Sequence, residues 1–332
     1  MLISIIKYLI ASFIAVMLVL GALLVGEIAP SEFWTKAKLD QKIEVVKEVF
    51  QEYEILPKPE EETVEQPMKL VAPSLPPLLS TPSKVAFTII NRETRAATVN
   101  IICTIESGRR TEIITGSGVL VDSRGVVLTN AHVAQYFLLI DNHPNGVTTC
   151  SVRTENPAIN KFEAKLLYLP PAWIKKHAKD IDSLEPLGTG EDDYAFLLLT
   201  NPDTRETSPL VFPTLTLNIM EITIDVGNAT LIAGYPARNI AKEKEDLEQL
   251  PISSTIAIIE GLFTFEERTL DLLSLGDTTL SYGGSSGGAV MDEYNTLIGI
   301  ITSSTDGTTA KERILRAITL AHINRSIKKY VQ

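Results

Sequence analysis

The feature that most constrains the fold of this chain is a long series of short apolar segments after residue 84. In most of them apolar and polar residues alternate, or apolar residues run on for a few positions, and Gly, Pro, Asn and Asp clusters separate them. Examples are ATVNIICTI, GSGVLVD, GVVLTNA, EAKLLYL, YAFLLLT, ATLIAGY, STIAIIEG and TLIGIITS. This pattern predicts short strands joined by turns, which is typical of an all-β sandwich or barrel. Only two short helices are expected there, at 171–180 and 320–330.

The residues before the strand-rich region divide into three parts. Residues 8–26 are uncharged and apolar, and their number is close to the roughly 20 residues that cross a bilayer as a helix. We therefore expect a transmembrane signal anchor over 1–27. A cleaved signal peptide is the alternative, although its apolar core usually spans only about 7–15 residues. Residues 28–56 are predicted to form a helical juxtamembrane spacer and 57–84 an extended Pro- and Glu-rich linker, which leaves 85–332 for a globular domain.

The juxtamembrane helix has apolar residues at heptad spacing. They are Leu39, Ile43, Val46, Phe50 and Tyr53, with Lys and Glu between them. Two heptads are few, because isolated helices shorter than about 12–15 residues are marginal in water. Two interpretations stay open: a solvated spacer or a helix lying on the domain, and a short coiled coil that makes a homo-oligomer through residues 39–53.

Charge excludes one class of partner and leaves the membrane topology open. The formal net charge is −11 and the sequence pI is near 5.0, and no Lys/Arg-dense run occurs, so a nucleic-acid partner is not expected. Lys7 precedes the apolar run, while Lys36, Lys38 and Lys42 follow it. The positive charges therefore do not decide which side of a membrane the domain faces.

The two cysteines, Cys103 and Cys150, form no C-x-x-C pattern and no Cys/His cluster with metal-ligand spacing. We expect no metal site from them. Both fall in strand-like segments, so they are candidates for one disulfide if the domain lies outside the cytoplasm. Two separate buried thiols are the alternative.

A glycine-rich stretch, YGGSSGGAV over 282–290, places two serines where one of them is a candidate nucleophile. Ser286 is the centre of a G-x-S-x-G pattern, which is found in the nucleophile elbow of α/β-hydrolases. That fold places its acid and its histidine after the serine, and only His322 follows here. The alternating strands and helices of a parallel sheet are also missing, so we reject this interpretation.

A serine hydroxyl is a weak nucleophile without an adjacent base, and the chain has four histidines. His143, His177 and His322 lie in a turn, a polar helix and the C-terminal segment, and are more simply surface or packing residues. His132 comes where the second of two short strands ends, which holds a side chain rigidly and lets it face a cleft. Asp193 opens another strand and is a candidate for the group that orients the imidazole.

These residues together resemble a trypsin-like (chymotrypsin-fold) serine protease, and are similar to bacterial HtrA-type and related trypsin-like peptidases. The matching blocks are TNAHV (129–133), DYAFL (193–197) and GSSGG (284–288), in the order His, Asp, Ser. LIAGYP (231–236) and LIGIIT (297–302) fit two further strands of the family. The likeness covers roughly residues 95–330. It implies two six-stranded antiparallel β-barrels with a short C-terminal helix, here preceded by the transmembrane helix, and we expect no PDZ domain after them.

The resemblance also implies the role of each site residue. Ser286 is the nucleophile, His132 the general base and acid, and Asp193 the residue that orients His132. The backbone N–H groups of Gly284 and Ser286 form the oxyanion hole. No cofactor and no metal are implied, and the partners are protein or peptide substrates.

Two departures from the family pattern affect the site. Ser285 stands just before the nucleophile, where the family usually has Asp or Asn, so the family's bracing of the oxyanion loop is not carried over to this chain. An apparent insertion over 170–190 separates His132 from Asp193, and is expected to shape or cover the cleft.

The resemblance also places a substrate pocket. Thr302, Ser303 and Ser304 are expected on one wall, and Leu280 near the base, where no acidic residue is placed. We therefore expect a preference for small or medium apolar side chains before the cleaved bond.

The predicted function is a membrane-anchored serine endopeptidase with its domain outside the cytoplasm. The alternative is a catalytically silent binding or scaffold module on the same fold.

Overall fold

The computed structural model of the chain describes most of the residues after 82. They are 83–140, 146–178, 190–200, 211–218, 224–237, 247, 250–265, 269–276, 280–303 and 315–331. The predicted anchor, the juxtamembrane helix with its 39–53 heptads and nearly all of the linker lie outside these residues, as do His143, Ser304 and the side chain of Ser303. In the described ranges no helix is both long enough and apolar enough to cross a membrane.

Six antiparallel strands close the first barrel, in the order β1-β2-β3-β6-β5-β4. They are β1 (Thr98–Ser107), β2 (Arg110–Asp122), β3 (Val126–Thr129), β4 (Val147–Thr154), β5 (Asn160–Tyr168) and β6 (Ala195–Thr200). Successive side chains of a strand point to opposite faces, and in β1 the alternate residues Val99, Ile101 and Cys103 are buried inside the barrel. The alternation in the sequence thus marks the inner face correctly.

A second barrel follows, with the order β11-β8-β9-β10-β13-β12 and closure between β11 and β12. Its strands are β8 (Ala229–Gly234), β9 (Ser253–Phe263), β10 (Leu272–Leu275), β11 (Ala289–Met291), β12 (Thr296–Ser303) and β13 (Leu315–Thr319). A two-residue strand, β7 (Thr216–Leu217), is added in parallel to β12, which the sequence did not predict. The two predicted antiparallel barrels are therefore present, with one short extra strand.

The helices of the described region lie outside the barrels. They are α1 (Phe87–Ala97), α2 (Ala131–Ala134) with a 3-10 helix (Gln135–Leu138), α3 (Pro171–His177) and α4 (Leu320–Val331). The sequence predicted α3 and α4, but not α1. Helix α1 contacts β8 and buries Ile90, Thr94 and Ala97. One large apolar residue and two small ones give a helical periodicity that is too weak to be recognised in the sequence.

The two barrels share an apolar cluster, which includes Ala158 from the first barrel and Ala233 and Tyr235 from the second. Polar contacts cross the same boundary. The Tyr235 hydroxyl donates to the Glu155 carbonyl over 2.8 Å, and the Arg153 guanidinium donates to the Leu247 carbonyl over 2.8 Å. These contacts hold the barrels against each other along a buried seam, where the predicted site residues lie.

A disulfide joins β1 to β4. Cys103 and Cys150 are directly opposite each other in the register of the two strands, with their Cα atoms 4.1 Å apart. The predicted bond is therefore present, and the alternative of two separate thiols is wrong.

Candidate active site

Strand pairing in the first barrel brings His132 to Asp193. β3 and β6 are antiparallel, and Thr129 at the end of β3 pairs with Ala195 at the start of β6. His132 follows Thr129 by three residues, and Asp193 precedes Ala195 by two. Two residues that are 61 positions apart in the sequence are therefore neighbours at one end of this barrel.

The His132 imidazole is hydrogen-bonded to the Asp193 carboxylate. The Nδ1 atom lies 2.8 Å from Oδ2 and 3.0 Å from Oδ1, and the His132 backbone N–H donates to Oδ1 over 3.0 Å. An ionised carboxylate only accepts hydrogen bonds, so Nδ1 carries a hydrogen, and in the neutral imidazole the lone pair is then on Nε2. This tautomer is the one that can take a proton from a nucleophile.

Two further side chains hold Asp193, whose own side chain is fully buried. Thr302 of β12 donates from Oγ1 to Oδ2 over 3.1 Å, and Asn130 donates from Nδ2 to the Asp193 backbone carbonyl over 2.8 Å. Burying a charged group is costly unless hydrogen bonds replace its hydration. The carboxylate of Asp193 thus has donors from both barrels.

Ser286 lies in a turn of residues 282–288, called the Ser286 turn below, which leads into β11. Its backbone carbonyl accepts a hydrogen bond from the Ser117 N–H of β2 over 2.7 Å. The next residue, Gly287, is close to the end of β3, because a Cβ on it would lie 2.5 Å from Thr129 Oγ1. The second barrel thus brings Ser286 to the strand that ends just before His132.

The Ser286 turn needs glycine at two positions. Gly284 has φ +93° and Gly287 has φ +86°, a region that side-chain-bearing residues rarely adopt. There is also no room: a Cβ on Gly284 would lie 2.5 Å from the Tyr235 carbonyl oxygen, and one on Gly287 only 2.0 Å from the Ser117 carbonyl oxygen. The glycines therefore let the turn pack directly against main chain on both sides.

The peptide groups that contain the predicted oxyanion-hole N–H groups are fixed at their carbonyl ends. The carbonyl of the residue before Gly284 accepts a hydrogen bond from Ala237 N–H over 2.7 Å, and the carbonyl of the residue before Ser286 accepts one from Gly288 N–H over 2.9 Å. In a planar trans peptide the N–H points opposite to the C=O. The direction of both N–H groups is therefore set, and their role as oxyanion donors stays a prediction.

The side chain of Ser285 does not support the Ser286 turn through a hydrogen bond to any described residue. The residue is fully buried, and its Oγ has no hydrogen-bond partner among the described residues. The support for the turn therefore comes from elsewhere.

The geometry fits the comparison with known proteins. A family model described as a trypsin-like peptidase domain matches residues 116–300. The chain belongs to this family. No curated protein matches it closely enough to count as a relative. The trypsin-like peptidase has the two barrels that the sequence predicted, and its matched segment includes His132, Asp193 and Ser286.

Of the four predicted substrate-pocket residues of the peptidase, the structure describes the side chains of two, Leu280 and Thr302. Leu280 is fully buried and belongs to the core of the second barrel. The Thr302 hydroxyl is directed to Asp193, a role that the sequence did not predict. Ser303 continues β12, and Ser304 lies outside the described residues. The pocket role of these four residues stays a prediction.

The insertion between His132 and Asp193 is anchored next to the histidine. Trp173 of α3 is buried and donates from Nε1 to Gln135 Oε1 over 3.2 Å, and Gln135 begins the 3-10 helix that follows α2. The His177 ring stacks on Trp173 with centroids 3.8 Å apart. Whether the insertion covers the cleft depends on residues 179–189, which lie outside the described part.

Helix α4 supports the chain on both sides of Asp193. His322 lies 3.1 Å through Nε2 from the Glu191 carbonyl and 3.0 Å through Nδ1 from Asp271 Oδ1. The Tyr194 hydroxyl donates to Ser326 Oγ over 2.9 Å. His322 is therefore a buried packing residue, which is one of the two interpretations, surface or packing, that the sequence left open.

Three contacts that support the candidate triad were not predicted from the sequence, those of Ser117, of Asn130 and of the Thr302 hydroxyl. Each of these residues was inside a segment already quoted for its pattern, but nothing in a local pattern shows which distant atom a hydroxyl or amide reaches. Among the described residues no group of three or more metal-ligating side chains comes together.

Proposed function

We propose that the protein is a serine endopeptidase in which Ser286 is the nucleophile, His132 the base and Asp193 its orienting partner. The observation that carries the proposal is the buried hydrogen bond of 2.8 Å between His132 Nδ1 and Asp193 Oδ2, at the strand end against which the Ser286 turn packs. A histidine in this tautomer beside a glycine-framed serine is the arrangement that serine acyl transfer requires.

The reaction follows from these positions. Ser286 Oγ attacks the scissile carbonyl carbon while His132 Nε2 takes the hydroxyl proton, and the carbonyl oxygen becomes an oxyanion. The tetrahedral intermediate collapses as His132 gives that proton to the leaving amine, which leaves an acyl-enzyme on Ser286. Water then attacks the ester carbonyl carbon while His132 takes one of its protons. The second tetrahedral intermediate collapses as the bond between Ser286 Oγ and the carbonyl carbon breaks. His132 returns the proton to Oγ, and the carboxylic acid product departs.

The backbone N–H groups of Gly284 and Ser286 are proposed to hold the oxyanion. The fixed carbonyls of the two preceding residues support this, because they set the N–H directions before any substrate arrives. Loss of one such donor typically lowers turnover by about 10²–10³ in a serine protease.

We also propose that the substrate has a small or medium apolar side chain before the cleaved bond. A peptide-library digest with strong Arg or Lys selectivity would contradict that preference.

The test is covalent labelling with a fluorophosphonate, followed by digestion and mapping of the adduct. Wild type should carry one adduct on Ser286, and Ser286→Ala should carry none. Ser254→Ala, which removes a serine hydroxyl on β9 near α1, serves as the control and should label like wild type. A folded wild type that stays unlabelled would refute the proposal and favour the silent scaffold.

We further propose that the domain is tethered to a membrane by residues 1–27 and faces an oxidising compartment outside the cytoplasm. The apolar run over 8–26 supports the tether. The disulfide between Cys103 and Cys150 supports the compartment, since such bonds persist mainly outside the reducing cytosol. The full chain should stay in the membrane pellet after carbonate washing with its N-terminus intact. Release of a shortened chain would instead indicate a cleaved signal peptide.

A further inference from the structure

The fully buried Ser117 of β2 binds the Ser286 turn through both its backbone N–H and its hydroxyl. Its backbone N–H donates to the Ser286 carbonyl over 2.7 Å, and its hydroxyl donates to the Gly284 carbonyl over 2.7 Å. The carbonyls on both sides of Ser285 are therefore held by one residue of the opposite barrel.

The surroundings leave the Ser117 hydroxyl a single orientation. It accepts a hydrogen bond from the Tyr235 N–H over 2.8 Å, so its own hydrogen is directed to the Gly284 carbonyl. The Ser117 carbonyl in turn accepts from Thr129 Oγ1 over 2.6 Å. Strand β3, the end of β8 and the Ser286 turn thus converge on this one side chain and its peptide groups.

We propose that the Ser117 hydroxyl is a positioning residue that keeps the Ser286 turn in its catalytic shape. Ser285, whose Oγ has no partner among the described residues, contributes no such hydrogen bond. The Gly284 carbonyl belongs to the peptide between the two proposed oxyanion donors. If it rotates, the N–H groups of Gly284 and Ser286 no longer keep their relative direction. This inference deepens the proposed function and rests on it.

The experiment compares Ser117→Ala with Ser254→Ala. The Ser254 hydroxyl also donates one hydrogen bond, to Asn91 Oδ1 over 2.7 Å, and accepts one from Arg95 over 3.2 Å, but it lies between β9 and α1. Both variants lose a hydroxyl that donates one hydrogen bond and accepts one, although the partners of Ser254 are side chains and those of Ser117 are backbone groups. Ser254→Ala therefore controls for the loss of such a hydroxyl away from the Ser286 turn. The measurements are kcat and KM for a small peptide ester, the affinity for a peptide boronate, and amide hydrogen exchange in residues 282–288.

In Ser117→Ala, kcat should fall by about tenfold or more, since two buried backbone groups lose their partner. KM should stay within about twofold, because the lost interaction acts mainly in the transition state. Affinity for the boronate, which forms a tetrahedral adduct, should fall in parallel with kcat. Exchange in 282–288 should become faster. Ser254→Ala should show none of these changes. If Ser117→Ala does not fold, Ser117→Cys keeps a weak donor at the same place and should show the same changes at smaller size.

Unchanged kcat and unchanged exchange in Ser117→Ala would overturn the inference, and so would equal losses in both variants. The exchange measurement needs no activity. Failure of the proposed function, seen as an unlabelled wild type, therefore remains distinguishable: unchanged exchange would still refute the role of Ser117, and faster exchange confined to 282–288 would still support it.

Discussion

Thr302 of the second barrel donates its hydroxyl hydrogen to Oδ2 of Asp193 in the first barrel, over 3.1 Å. The two residues are 109 positions apart, and both are almost completely buried. The acid of the candidate triad is thus held by a strand of the barrel that carries Ser286, the candidate nucleophile. A slight displacement of one barrel against the other would change the hydrogen bonds of the candidate catalytic residues directly.

The first prediction concerns this hydroxyl. Thr302→Val keeps the shape of the side chain but removes the donor, and kcat/KM should fall about tenfold, as expected for losing roughly 1.4 kcal/mol from a hydrogen bond to a charged group. Thr302→Ser keeps the hydroxyl and should stay close to wild type. Steady-state kinetics on a peptide ester decide the matter. Equal losses in both variants would show that the methyl group matters, as in a pocket wall, and not the hydrogen bond.

Asp193→Asn is expected to remove activity while leaving the fold intact. The amide oxygen and nitrogen are similar in size to the carboxylate oxygens, but an amide can donate to His132 Nδ1 and stabilise the wrong tautomer. In a serine protease triad this substitution lowers kcat by about 10⁴. Circular dichroism and fluorophosphonate labelling rates on the same sample measure the two effects. Wild-type labelling in a folded Asp193→Asn would remove Asp193 from the mechanism.

Gly287→Ala should destabilise the protein much more than Gly227→Ala does. Both glycines have positive φ, +86° and +94°, so alanine costs about 1–2 kcal/mol at either one for its backbone conformation alone. At Gly227 nothing lies within 4 Å of the new Cβ, whereas at Gly287 the Ser117 carbonyl oxygen would be 2.0 Å away. Overpacking typically adds about 1–3 kcal/mol. Urea unfolding of the two variants measures the difference, and equal losses would contradict the close contact.

Reducing the disulfide should destabilise the first barrel. Cys103 and Cys150 close a segment with a sequence separation of 47, and loop-closure entropy then gives a stabilisation of about 4 kcal/mol. A reducing agent should therefore lower the urea midpoint of wild type but leave Cys103→Ala/Cys150→Ala unchanged. If the reductant also shifted the double variant, its effect would not come from this bond.

Stability should fall at alkaline pH because two tyrosines are buried. Burial raises the pKa of the Tyr235 phenol from 10.0 to about 12, and burial also raises the pKa of Tyr194 well above its usual value. Since the folded-state pKa lies above the unfolded value of about 10, the neutral buried phenol of Tyr235 stabilises the fold fully below about pH 10. This contribution to the free energy of unfolding is lost as the pH rises toward about 12.

The variant that tests the contribution of Tyr235 to this alkaline loss of stability is Tyr235→Phe. It loses the hydrogen bond to Glu155 and should be less stable than wild type at pH 8 by about 1 kcal/mol. Above pH 10 its free energy of unfolding should decline less steeply than that of wild type, since each such group contributes at most about 1.4 kcal/mol per pH unit. Urea unfolding between pH 8 and 12 measures both effects. Parallel curves for the two proteins would exclude Tyr235 as a source of the decline.

Much of the fold could be predicted because it follows from local patterns. Alternating apolar residues marked the strands, as in β1, and the two helices α3 and α4 were recognised in the sequence. His132 and Asp193 could also be predicted as candidate site residues, since each lies beside a strand end with a recognisable sequence. Helix α1 was not, because two of its three buried residues are Thr94 and Ala97, which do not form an apolar stripe.

The supports of the candidate site could not be predicted, because each depends on which distant main-chain group a side chain meets. Ser117 reaches Gly284 across 167 positions, and Asn130 reaches Asp193 across 63. Such pairs depend on how the two barrels dock, which no window of sequence contains. The disulfide was an intermediate case: two cysteines in strands suggested it, and the register of β1 and β4 decided it.

Helix α4 follows both barrels in the chain, yet it holds Glu191 and Tyr194 on either side of Asp193. During synthesis the ribosome therefore releases every described strand of both barrels before it releases the helix that contacts the residues around the candidate catalytic acid, Asp193. A nascent chain that has already folded its barrels still lacks this support. The contacts on both sides of Asp193 are therefore completed only after the last part of the chain, which carries His322 and Ser326, is free to fold.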